Sequence, residues 1–263
     1  MRRTPRARQA SMCDALHAEW TKLRTAPGTI WLLLAVIALT VAVSATAAAA
    51  IRCPAGDCGV DPTKTSLTGI QLGQAAVAIL AVLAISGEYS TGMVRITLTA
   101  MPRRTTVLAA KATILTGIVV TAATIAVLAS LLAGRLLLTG HGSPPLSLGD
   151  GPVLRAAAGS VLYLALITLL SLGTAAAVRD TATAIGIVLA LLYVFPIVAQ
   201  AVSDQDWQRH LQQIGPITAG LAIQATTGLS SLPISPWAGL GVLAAWAAAA
   251  LLTGGMLLQL RDA

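Results

Sequence analysis

Residues 156–178 read AAAGSVLYLALITLLSLGTAAAV, and the Arg179-Asp180 pair closes this block. A helix that crosses the hydrocarbon core of a bilayer needs about 20 apolar residues. The block is that long, carries no charge and lacks the polar stripe of a surface helix. It therefore predicts a transmembrane helix, and similar blocks recur along the chain.

The overall composition agrees with a membrane protein. Of the 263 residues, 56% are hydrophobic and only 10% are charged, and the mean hydropathy is +0.80. Soluble domains carry about 25% charged residues, so a soluble enzyme, a disordered chain and a secreted disulfide scaffold are excluded. The net charge of +7 comes with only 3% aromatic residues. Because the basic residues lie between the apolar blocks, we expect no nucleic-acid partner.

The blocks predict an all-α membrane protein with six transmembrane helices. The second block is the weakest, because Gln71 and Gln74 lie in its first turns, and Pro196 should kink or end the fifth. The cytoplasmic N-terminus covers 1–28, a cytoplasmic loop covers 87–111, and an outer loop covers 203–236. The predicted spans are 29–51, 67–86, 112–138, 156–178, 184–202 and 237–260.

The distribution of basic residues predicts the orientation, since cytoplasmic loops carry the excess of Lys and Arg. Twelve of the 17 basic residues fall on the side that holds both termini. That side is therefore expected to be the cytoplasmic face of a bacterial plasma (inner) membrane. The five basic residues on the opposite side are Arg52, Lys64, Arg135, Arg155 and Arg209.

Two cysteines, Cys53 and Cys58, fall together in the first outer loop. A disulfide could persist on that side of the membrane, and two reduced thiols are the alternative. The pair supplies too few ligands for a metal site, so no metal is expected.

The sequence contains no pattern that predicts catalysis. It has neither a G-x-x-x-x-G-K-[ST] phosphate loop nor an H-E-x-x-H zinc motif. Ser160 lies inside span four, but no span contains a His that could serve as its base, so helix packing is its expected role. No Asp or Glu lies within the apolar blocks, so an ion-driven carrier would lack an evident coupling residue. Any energy for transport is expected to come from another protein.

The cytoplasmic segments carry the most specific patterns. Residues 9–24 place Met12, Leu16, Trp20 and Leu23 on one helical stripe, which predicts an amphipathic interfacial helix. A solvated helix with a minor apolar seam is the alternative. Loop 87–111 predicts a short helix over 90–100 and a turn at Pro102, which together suit the docking of a soluble partner. Anchoring of the same loop to anionic lipid is the other interpretation.

Three of these segments resemble an ABC-2 type transporter permease of actinobacterial style. They are EWTKLR at 19–24, GEYSTGMVR at 87–95, and the Pro102-Arg103-Arg104 run that leads to Lys111. The stretch from Leu172 to Pro196 is similar to the fourth and fifth spans of that family. The outer stretch 203–236 is similar to its re-entrant helices before span six.

The resemblance implies an ABC-2 or type V exporter-like fold without an ATPase of its own. It implies a second permease copy, as a homodimer or heterodimer, and a separate ATPase subunit that binds ATP and Mg²⁺. The residues expected to dock that ATPase are Glu88, Gly92, Arg95, Pro102, Arg103 and Arg104. The helices of two copies are expected to meet through small residues such as Gly186, Gly254 and Gly255. A non-transporting immunity or sensor-associated subunit on the same fold, and an ion-coupled secondary carrier, are the alternatives.

Overall fold

The structure is a computed structural model, and it describes residues 16–17, 20–21, 27–51, 61–90, 104–139 and 149–260. Every element formed by these residues is helical. The α-helices are α1 (Pro27–Ala50), α2 (Pro62–Ser66), α3 (Ile70–Ser90), α4 (Arg104–Thr139), α5 (Gly151–Val178), α6 (Thr181–Leu189), α7 (Phe195–Ala201), α8 (Gln205–Ile214), α9 (Pro216–Gly220) and α10 (Pro236–Leu260). A π-helical turn (Ala190–Val194) joins α6 to α7, and 3₁₀ turns follow at Leu221–Gln224 and Leu229–Ser231.

Within the part of the chain that the structure describes, six helical segments are long and apolar enough to cross a membrane, which confirms that part of the sequence prediction. They are α1, α3, α4, α5, the continuous α6–α7 segment, and α10. The protein is therefore a multi-pass membrane protein of all-α fold.

Helix α4 is longer than the predicted third span. It begins at Arg104, because Pro102 is followed by residues without Gly or Pro that continue a helix readily. As a result Lys111, which we expected at the edge of a loop, lies inside α4 and is only 4% exposed. Helix α3 likewise continues to Ser90, so the segment between α3 and α4 shortens to 91–103.

Helix α5 lies at the centre of the bundle. It packs against α3, α4, α6 and α10, while α1 packs against α3 and α4 on the far flank. The α5 side chains Tyr163, Leu164, Ile167 and Leu172 are fully buried in the core that these helices share. Close packing of this kind replaces the hydrophobic effect as the source of helix association in a lipid solvent.

Two glycines bring α5 and α10 into direct backbone contact. A Cβ at Gly173 would lie 2.5 Å from the carbonyl carbon of Ala250, and one at Gly254 would lie 2.6 Å from the carbonyl oxygen of Gly173. Gly254 therefore packs against α5 of its own chain. The expectation that it faces a second copy is wrong. Gly186 has open space around it.

The fifth span keeps its helical course through Pro196. The N–H of Phe195 donates to the carbonyl of Ala190, five residues back, which makes the turn before the proline a π turn. Pro196 has no N–H to donate, so the wider turn accommodates the missing bond, and α7 continues to Ala201.

Candidate functional site at the Asp61 end of the bundle

Most of the predicted ATPase-docking residues lie outside the described residues. Gly92, Arg95, Pro102 and Arg103 belong to segment 91–103, and so does most of the predicted short helix. The backbone of Glu88 forms part of the last turn of α3, and Arg104 begins α4. Cys53 and Cys58 also lie outside the described part of the chain, as does most of the predicted N-terminal amphipathic helix.

The described residues with the densest polar contacts lie at the other end of the bundle, which the charge pattern predicts to be the outer end. There, residues 205–226 form a hairpin: α8 runs along the surface of the bundle and buries none of its residues, and α9 with its 3₁₀ turn returns packed against α10 and α5. Along the returning half, Gly220 lies against Tyr163 and Ile223 lies against Gly159. Because α5 starts at Gly151, the chain from 220 to 223 rises toward the N-terminal end of α5. We call this the Asp61 end.

The tip of the hairpin lies against α10 and the start of α7. The indole Nε1 of Trp246 donates to the carbonyl oxygen of Ile214, the last residue of α8, at 2.9 Å. Trp246 lies about 15 Å along α10 from Pro236, so the hairpin descends by about that distance. Gly215 forms the tip, where a Cβ would lie 2.7 Å from the Phe195 ring.

Asp61 fastens the returning end of the hairpin to the segment after α1. Its carboxylate caps α2 by accepting the backbone N–H groups of Thr63 and Lys64, each at 3.1 Å. The same carboxylate accepts the backbone N–H and the hydroxyl of Thr226, the hydroxyl at 2.7 Å. It also accepts the N–H of Thr227 at 3.0 Å. One side chain thus satisfies donors from two distant parts of the chain.

These bonds also determine the protonation of Asp61. Burial raises the pKa of this carboxyl, but the hydrogen bonds from Thr226, Lys64 and Thr227 lower it by more, so the pKa lies below the ordinary value of 3.8. Hydrogen bonds to a charged acceptor favour its ionised form. The contact with the hairpin is therefore made by a carboxylate.

Two further polar contacts hold the hairpin to α5. Arg155, in the first turns of α5, donates through Nη2 to the carbonyl of Ala225 at 2.6 Å. Deeper in the bundle, the buried side chain of Gln224 donates to the Ser160 hydroxyl at 3.3 Å. Ser160 therefore has a hydrogen-bonding role in addition to the packing role predicted for it.

A second buried cluster links α3, α5 and the π turn just below. The Tyr163 hydroxyl donates to the Gln74 side-chain oxygen, and Tyr163 and Gln74 are 0% and 1% exposed. The Tyr193 hydroxyl donates to the backbone carbonyl of Gln71. Unpaired polar groups are costly in a bilayer, and the bond from Tyr163 explains how span two tolerates the buried amide of Gln74; the Gln71 side chain is exposed.

The arrangement is a set of hydrogen bonds that joins the hairpin to α2 and α5, and α5 to α3. Among the described residues, no three His, Cys, Asp or Glu side chains lie close enough together to hold a metal ion. Sequence reasoning did not single out Asp61, although an Asp before Pro62 is a recognised helix-start signal. Tyr163 and Gln224 gave no such signal, because their partners come from other helices.

Neither the family models nor the curated proteins searched contain a match to this chain.

Proposed function

We propose that this chain is the membrane subunit of an ATP-driven exporter of ABC-2 type. In this proposal two permease copies form the translocation path, and a separate ATPase subunit binds ATP and Mg²⁺ and docks on the cytoplasmic loop.

The observation that carries the proposal is the hairpin at 205–226, which runs down the side of the bundle from the predicted outer end and returns with 216–224 packed against α5 and α10. The resemblance of 203–236 to the re-entrant helices of ABC-2 permeases leads us to expect a hairpin that begins and ends on the same side of the membrane. Non-helical backbone at membrane depth is tolerated only where protein or a cavity surrounds it, and the buried Gly215 at the turn lies against Phe195 and Thr218.

Two further features support an external energy source. None of the six spans contains an Asp or Glu, so proton or sodium coupling through an intramembrane carboxylate has no residue to use. Helix α3 ends and α4 begins at the end opposite Asp61, on the side where the basic residues concentrate. A soluble ATPase would bind on that side.

The proposal is tested by charge reversal in segment 91–103. Arg95→Glu should replace attraction with repulsion at an ATPase surface, at a cost of a few kcal/mol if the contact is desolvated. We expect ATPase co-purification and substrate-stimulated hydrolysis to fall strongly at equal membrane levels of the permease.

A matched control separates docking from a general effect of charge. Arg209→Glu makes the same change on the exposed surface of α8, at the predicted outer end, and should leave both readouts at the wild-type level. Unchanged co-purification in Arg95→Glu would instead favour a lipid-anchored connector and a non-transporting role.

A further inference from the structure

A groove of about 660 Å³ runs along the flank of the bundle between α5, the α6–α7 segment and α10. The α6–α7 segment and α10 both pack against α5 but make little contact with each other, so a space opens between them. The lining residues that matter here are Thr174 on α5, Ala190 and Phe195 on the α6–α7 segment, and Trp246 and Thr253 on α10. The volume lies within the range of small-molecule sites.

The polar groups that line this groove are already hydrogen-bonded within the protein. Thr174 donates to the carbonyl of Leu170 at 2.8 Å, and Thr253 donates to that of Ala249. The Trp246 Nε1 hydrogen is used at the hairpin tip. A polar occupant would lose its hydration without regaining donors, so the groove suits hydrocarbon.

The π turn lies in the wall of this groove. Ala190, Leu191 and Val194 of that turn all line the groove. π turns inside helices are frequent at functional sites. One face of the π turn therefore lies at the groove surface, while Leu192 of the same turn is buried in the core.

A positive charge lies about one helical turn beyond the lower end of the groove. Arg179 ends α5 in the left-handed conformation, with φ 62°, and its Nη2 lies 3.4 Å from the carbonyl oxygen of Leu257. Leu257 is four residues beyond Thr253, about 6 Å along α10.

We propose that the groove binds an acyl chain of an anionic phospholipid from the predicted cytoplasmic leaflet, with the phosphate beside the Arg179 guanidinium. Guanidinium groups match phosphate oxygens in geometry and charge. The cation at one end of the groove matches the phosphate of a phospholipid, and the apolar groove beyond it matches the acyl chain. The lipid site does not depend on ATPase coupling.

The test uses Trp246 as its own reporter, since its side chain is 40% exposed. Trp20, Trp31, Trp207 and Trp237 are changed to Phe in the full chain, and the protein is reconstituted with phospholipids brominated on the acyl chain. Brominated phosphatidylglycerol should quench Trp246 at a mole fraction about fivefold lower than brominated phosphatidylcholine. Arg179→Gln should abolish this preference, whereas Arg179→Lys should retain it.

A second pair of variants tests the groove without changing Arg179. Ala190→Phe fills the groove and should reduce quenching by both lipids. Ala248→Phe adds the same ring on an exposed position of α10 that does not line the groove, and should leave quenching unchanged. Equal quenching by both lipids in the Arg179 protein overturns the proposal. So does the absence of quenching together with cross-linking of two copies at Ala190, which would assign the groove to a second copy.

Discussion

The carboxylate of Asp61 accepts the backbone N–H of Thr227 across 166 positions of the chain, at 3.0 Å. Asp61 lies just after the first span, and Thr227 lies at the returning end of the hairpin. A short structural connection therefore runs from α2 to the hairpin, and from there through Gln224 and Ser160 to the centre of α5. Any movement of the hairpin must break or carry along the Asp61 contacts.

The Asp61→Asn variant should be less stable than the wild type. It keeps one oxygen acceptor but loses the charge, and hydrogen bonds to charged groups contribute about 1.5–3 kcal/mol each. Because the Asp61 carboxylate is partly exposed, we expect the free energy of unfolding to fall by about 1–2 kcal/mol, measured by thermal unfolding in detergent. Asp150→Asn is the matched control, because Asp150 precedes α5 without making a side-chain capping bond, and it should change stability little.

The same contact should depend on pH in a defined direction. Because the pKa of Asp61 is lower in the folded state than the ordinary value of 3.8, the unfolded chain binds its proton first as the pH falls. The stabilisation is present above pH 3.8 and is lost as the pH falls through the lower folded-state pKa. The difference in stability between wild type and Asp61→Asn should therefore shrink below pH 3.8. A difference that stays constant would contradict an ionised contact.

Gly239→Val should displace the hairpin. A Cβ at Gly239 would overlap the backbone carbonyl of Ala219, and backbone cannot rotate away as a flexible side chain can. Overpacking of this kind costs about 1–3 kcal/mol, so we expect reduced thermal stability and faster proteolysis within 203–236. Gly241→Val, two residues along α10, meets nothing within 4 Å and should behave as the wild type does.

The sequence predicted the six spans because long uncharged blocks are a signal that each segment carries alone. It also marked Gln71 and Gln74 as unusual, but it could not name their partners. Tyr163 comes from another helix, and only the fold brings it to Gln74. The Gly254 expectation failed for a related reason: small residues indicate that two helices approach closely, but not whether the second helix belongs to the same chain.

The buried pair of Tyr163 and Gln74 should show measurable coupling. Tyr163→Phe removes the donor and leaves a buried amide oxygen unpaired, and Gln74→Leu removes the acceptor. Double-mutant cycles between hydrogen-bonded side chains of membrane proteins average about 0.6 kcal/mol, with a maximum near 1.7, and we expect a value in that range. Thr124→Val combined with Gln74→Leu provides a control, because Thr124 lies on the exposed face of α4, and its coupling should be near zero.

The predicted orientation can be tested by cysteine accessibility in intact cells. With Cys13, Cys53 and Cys58 replaced by Ser, a Cys at Gln208 on α8 should react with a membrane-impermeant maleimide, since α8 lies at the end predicted to face outward. A Cys at Arg104, where α4 begins at the opposite end, should react only after the cells are permeabilised. Twelve of the 17 basic residues lie on the predicted inner side. The opposite orientation of the protein would therefore be an exception to the rule that loops rich in Lys and Arg stay cytoplasmic. Reaction at position 104 in intact cells would reverse the topology, and with it the side on which an ATPase could dock.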